Sequence, residues 1–146
     1  MNLATRLIQL LAIYAPLSLA SGDNYPPPGA SQLSTQEIQC LFSDVRDDAM
    51  VQDSAGTTAI NYWYGDGTFT NQWRNERGSG EVRGRWWADK DRRCIVITEG
   101  LPERIGVESC TPMYREGEQF FSVDPDGSIH GIHRLSPLSA EQVKDC

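Results

Sequence analysis

Hydrophobic and polar positions change period along this chain. Ile38, Leu41, Phe42 and Val45 fall at helical spacing behind Ser34-Thr35-Gln36-Glu37. That tetrad is a capping box, a hydroxyl at the N-cap followed three residues later by a carboxylate. The spacing predicts a short amphipathic helix over 35–44, ended by the polar stretch 44–48. From Met50 the period becomes two, which predicts strands near 49–53, 57–64, 68–74, 80–88, 93–98, 106–114, 118–123 and 128–135. Glycine- and aspartate-rich turns separate them. Short connections between successive strands imply an antiparallel meander, and strands of this number can close into an up-and-down barrel with no exposed edge. Ser139 ahead of Glu141 to Lys144 suggests a last helical turn.

The most specific stretch is Ile60 to Trp73, a hairpin with Gly65-Asp66-Gly67 at its tip. Centring it on Asp66 sets Trp63 opposite Phe69, Asn61 opposite Asn71, and Ala59 opposite Trp73. These share one face, taken as the core; Ile60, Tyr62, Tyr64, Thr68, Thr70 and Gln72 take the other. Trp86 joins the inner set if the alternation continues. The ligand-binding candidates are therefore Asn61, Trp63, Phe69, Asn71, Trp73 and Trp86. Either the aromatic rings fill the barrel or they line a cavity, and the amide pair favours a cavity, since buried amides must be satisfied mutually, by water or by ligand.

Ahead of the helix, Arg6 with the amino terminus, the apolar run 7–15, Pro16, and Ser18-Leu19-Ala20 resemble a secretory signal over residues 1–20. No cysteine follows the expected cleavage site, so a lipid anchor is not expected there. Residues 21–33, rich in Pro, Gly and Ser, form an expected linker, and residues 34–146 a single β-barrel domain. The expectation is an exported protein, periplasmic or secreted, not inserted in a membrane once the signal is cleaved. Cys40, Cys94, Cys110 and Cys146 all follow the signal, and an even number in an exported chain implies two disulfides. Folding the hairpin about Pro102 brings Cys94 opposite Cys110, Ile95 opposite Ser109 and Ile97 opposite Val107. This leaves Cys40 for Cys146.

Charge narrows the partners. The formal net charge of −7 becomes −8 once Arg6 leaves with the signal, which argues against nucleic acid. Between Arg74 and Arg93, seven basic residues face four acidic ones. The bland reading is a solvated face and its turns. The functional reading is a docking patch for an exported protein, through Arg83, Arg85 and Arg92. His130 and His133 point to opposite faces of a strand, so they do not make a metal pair. Asp124 to Ser128 is explained by a hairpin turn. With no nucleophile elbow, phosphate loop, CxxC or HExxH, no enzyme activity and no cofactor are expected. The reading is a binding module for a small apolar or amphipathic molecule, or alternatively a docking or inhibitor module acting through its outer surface.

The order of LSTQEIQCLF, YWYGDGTF, Gly84-Arg85-Trp86, the paired cysteines and YREGEQFFSVDPDGSIHGIHRL carries a resemblance. Over about residues 33–137 the chain is similar to a family of small exported bacterial proteins of unknown function. The resemblance implies a lipocalin-like β-barrel. Gly84-Arg85-Trp86 itself resembles the G-x-W of lipocalins, although there it lies on the first strand and here near the fourth.

Overall fold

The computed structural model describes residues 25–141 and 144–146. The expected signal peptide, its cleavage site and residues 21–24 of the linker lie outside these, as do residues 142–143 of the expected helical tail. The described chain runs β1 (Ser31–Gln32), α1 (Thr35–Phe42), β2 (Val45–Val51), β3 (Thr58–Trp63), β4 (Thr68–Asn75) and β5 (Gly78–Asp89). It continues with β6 (Arg92–Glu99), a 3-10 turn (Pro102–Arg104), β7 (Glu108–Glu116), β8 (Gln119–Val123) and β9 (Ile129–Pro137). Strands β2 to β9 pair antiparallel in chain order, and β9 returns to pair with β2. The result is a closed eight-stranded, lipocalin-like barrel. β1 adds to the side of β7, with Ser31 opposite Arg115. Among the described residues no helix is long and apolar enough to cross a membrane.

The expected capping box is formed. Ser34 accepts from the Glu37 amide, and the Glu37 carboxylate accepts from the Ser34 amide at 2.8 Å. The Asp91 carboxylate accepts from the Thr35 amide at 2.7 Å, which pins the β5–β6 turn to the helix start. Ile38 and Phe42 are fully buried and plug one end of the barrel. Phe42 meets Trp63 and Phe120 edge-on, and Trp63 in turn packs on Phe69 and Trp86.

Expectations about the helix end and the stretches beside it need correction. The helix stops at Phe42 rather than residue 44, because Ser43 is already extended and Asp44 takes a φ of 55°. The polar stretch 44–48 does not simply end the helix. From Val45 it is strand β2, with Val45, Asp47 and Ala49 turned inward and Arg46 paired to Asp48 outside. The end of the expected linker also belongs to the fold, since Ser31 and Gln32 pair with β7 and Leu33 is buried.

The hairpin register is as expected, with Trp63 on Phe69, Asn61 on Asn71 and Ala59 on Trp73. At its tip Asp66 accepts from the Thr68 amide and hydroxyl, and Gly67 holds φ at 84°. Cys94 pairs with Cys110 across β6–β7, and Cys40 with Cys146. Ile95 sits opposite Ser109, but Ile97 bridges Ile105 rather than Val107. The 3-10 turn shortens that hairpin, and the Gly106 amide donates to the Ile97 carbonyl at 3.0 Å.

Candidate functional site

Two places in the barrel concentrate chemistry: a polar cluster on its inner wall and a crevice beside its plugged end. The cluster centres on Asp47, which the β2 alternation places inside at 0% exposure. Its carboxylate accepts from Trp63 Nε1 at 2.9 Å, from Asn61 Nδ2 at 3.1 Å and from His133 Nδ1 at 3.0 Å to each oxygen. Asn71 Nδ2 donates to Asn61 Oδ1 at 2.6 Å, so the amide pair is satisfied mutually and through Asp47. On the far side of the imidazole, His133 Nε2 lies 2.9 Å from Ser122 Oγ. Ser122 and His133 are 1% and 5% exposed.

Arg93 completes the cluster. It faces inward because its neighbour across the ladder is Ala88, two residues beyond inward-facing Trp86. Its guanidinium stacks on Phe42 and Trp63, 5.0 and 4.5 Å from the ring centroids. Nη1 stands 3.8 Å from Asp47 Oδ2, and this buried nitrogen has no hydrogen-bond partner among the described residues.

Electrostatics follow from this enclosure. Burial is the largest influence on Asp47 and pushes its carboxyl up. The charge and hydrogen bond of His133, the charge of Arg93 and the Trp63 N–H together outweigh burial and hold the carboxyl below its ordinary value. Burial pushes Arg93 down to about 10, against the pull of Asp47. A carboxylate and a guanidinium on an inner barrel wall are expensive to bury unless paired and hydrogen-bonded.

The structure brings the six expected ligand residues to the inner wall, in two groups. Trp63, Phe69 and Trp86 are buried and packed on one another, so they fill the helix end of the barrel. Asn61 is buried beneath half-buried Asn71 and Trp73, and the Trp73 indole lies over Gly80. A Cβ at Gly80 would meet Trp73 Nε1 at 2.9 Å.

The basic stretch is divided. Arg93 is inside the barrel, not on a solvated face. Arg83 and Arg85 are exposed on the outer face of β5, where Arg83 pairs with Glu81 at 2.8 Å, and Arg92 sits at the start of β6 opposite Asp89. Asp47, Arg93, Ser122 and His133 were not among the expected site residues. The available signal was parity, since an acid lies between Val45 and Ala49 and an arginine shares the Ile95–Ile97 face.

The crevice, ≈ 470 Å³, opens where the β8 and β9 ends meet the helix and the returning tail. Leu41, Val45, Phe120 and Leu135 supply apolar walls. Arg115, Arg134 and Lys144 bring three cations against the single acid Glu118. Arg115 is fixed over the Phe120 ring, and its Nε donates to the Gly117 carbonyl at 2.8 Å. Lys144 donates to the carbonyls of Leu41 and Ser43 at the helix end, beside the Cys40–Cys146 bridge. Burial lowers the Lys144 pKa, partly offset by Asp44. A broader groove of ≈ 1000 Å³ is lined by residues of β2, β3, β4, β5 and β9, and Gln119 and Arg134 border both hollows.

In comparisons with known proteins the chain matches no family model, no curated protein and no solved structure.

Proposed function

We propose that this is an exported binding module for a small amphipathic molecule with an anionic head, taken up in the crevice beside the plugged end of the barrel. The observation that carries the reading is the pairing of apolar walls with three cations in a hollow of ligand size, on a chain whose net charge is −7. The apolar tail would lie against Leu41, Val45, Phe120 and Leu135. Its head would take charge-assisted hydrogen bonds from Arg115, Arg134 and Lys144. Two disulfides support an oxidising compartment, in keeping with export. The aromatic residues Trp63, Phe69 and Trp86 then act as the filled core that holds the crevice walls in place.

Calorimetric titration with decanoate and with decanol tests this. The two share a tail and differ in the charge of the head. Decanoate is expected to bind more tightly, with affinity falling as salt rises. Arg115→Gln with Arg134→Gln is expected to weaken decanoate by about tenfold or more while leaving decanol unchanged. Equal affinities for the two compounds would remove the anionic head from the reading. Binding of neither compound would end it.

A further inference from the structure

We propose that Ser122 is an acylatable nucleophile inside the barrel, with His133 as its general base and Asp47 as the residue that positions the imidazole. Hydrogen bonds connect hydroxyl, imidazole and carboxylate in series. Ser122 Oγ lies 2.9 Å from His133 Nε2, and His133 Nδ1 lies 3.0 Å from both Asp47 oxygens. An Nδ1 proton directed at the ionised Asp47 carboxylate leaves Nε2 as the ring nitrogen that faces the serine hydroxyl, the arrangement a general base requires. The alternative acceptor for the serine proton, the Gly131 carbonyl, is farther away at 3.4 Å.

The support is rigid. The three residues come from β8, β9 and β2, which are neighbours in the barrel. Trp63 and Asn61 both donate to Asp47 Oδ2 and so fix the carboxylate. Gly131 leaves room for the Ser122–His133 contact, because a Cβ there would stand 3.1 Å from both Ser122 Oγ and His133 Nε2. Ser122 is 1% exposed, so any ester it meets must be small and must enter through an opening of the wall.

The substrate class is a small carboxylic ester. In the first step the serine O–H proton passes to His133 Nε2 as Oγ bonds to the carbonyl carbon. The ester C–O bond breaks, and the leaving alkoxide takes the proton back from Nε2. In the second step water gives a proton to Nε2 and its oxygen bonds to the acyl carbon. The acyl–Oγ bond then breaks, Oγ is reprotonated, and the carboxylic acid leaves. No redox partner is needed.

The test is incubation of the full-length folded protein with p-nitrophenyl acetate, followed by p-nitrophenolate release and peptide mapping. The expected result is an acetyl group on Ser122, formed together with p-nitrophenolate release. Ser122→Ala abolishes it. Asp47→Asn slows it by about a hundredfold or more, as a misdirected tautomer does in serine hydrolases. Asp47→Glu is expected to restore part of the rate, which a purely structural carboxylate would not do. Each variant is checked for native circular dichroism before assay. A folded wild-type protein acetylated only on lysines would overturn the proposal. So would acetylation of Ser122 at an equal rate in urea, since that reactivity would owe nothing to the relay.

Discussion

Asp47 is the residue on which the inner wall depends. It neutralises buried Arg93, orients His133 and accepts from Trp63 and Asn61. Removing one partner of a buried pair leaves the other uncompensated. Asp47→Ala is therefore expected to cost about 3–5 kcal/mol in urea unfolding. A double change of Asp47 and Arg93 to leucine and methionine should recover much of that loss. The pH dependence has a definite sign. The folded-state pKa of Asp47 lies below its unfolded value, so its stabilisation is complete above about pH 4 and is lost as pH falls through the lower folded value. Urea midpoints from pH 7 downward should show the gap between wild type and Asp47→Asn narrowing in acid. A constant gap would mean that the ionisation of Asp47 does not carry its contribution. Little of this was legible in the sequence. Asp47 lay in a stretch that looked like a helix terminator, and one polar residue in an alternating strand announces its partners only once the barrel closes.

At the scale of the element, the strands and the central hairpin were legible because their period and turn residues agree. The Asn61–Asn71 and Cys94–Cys110 ladders followed from counting outward from a turn. Counting failed where backbone geometry intervened, at the 3-10 turn that moves Ile97 off Val107 and at Asp44, where the chain turns from helix to strand. Gly84 shows a further constraint that composition does not reveal. It lies at the bulge between β5 and β6, where a Cβ would stand 2.1 Å from the Val96 carbonyl and 2.7 Å from the Phe69 ring. The backbone oxygen cannot retreat without breaking the ladder. Gly84→Ala is expected to destabilise by about 2–3 kcal/mol through overpacking, read as a fall in the denaturant midpoint. An unchanged midpoint would show that the bulge relaxes freely.

For the whole molecule, the two disulfides do different work. Cys94–Cys110 closes a short loop within one hairpin, with 16 residues of sequence separation; Cys40–Cys146 spans 106 and ties the tail to the helix. By chain entropy the short loop contributes about 3 kcal/mol and the long one about 4.7 kcal/mol. The long bridge has a second consequence, because it holds Lys144 against the helix carbonyls at the crevice rim. The crevice itself was not legible in the sequence, since Arg115, Arg134 and Lys144 meet only when the barrel closes and the tail returns. The double serine replacement at 40 and 146 is therefore expected to lower both stability and decanoate affinity. The same replacement at 94 and 110 should lower stability alone, since that pair lies outside the crevice. Thermal unfolding and the decanoate titration, run on both variants, separate these effects. Equal decanoate affinity in the two variants would show that the tail contributes no cation to the bound head, leaving Arg115 and Arg134 as its holders.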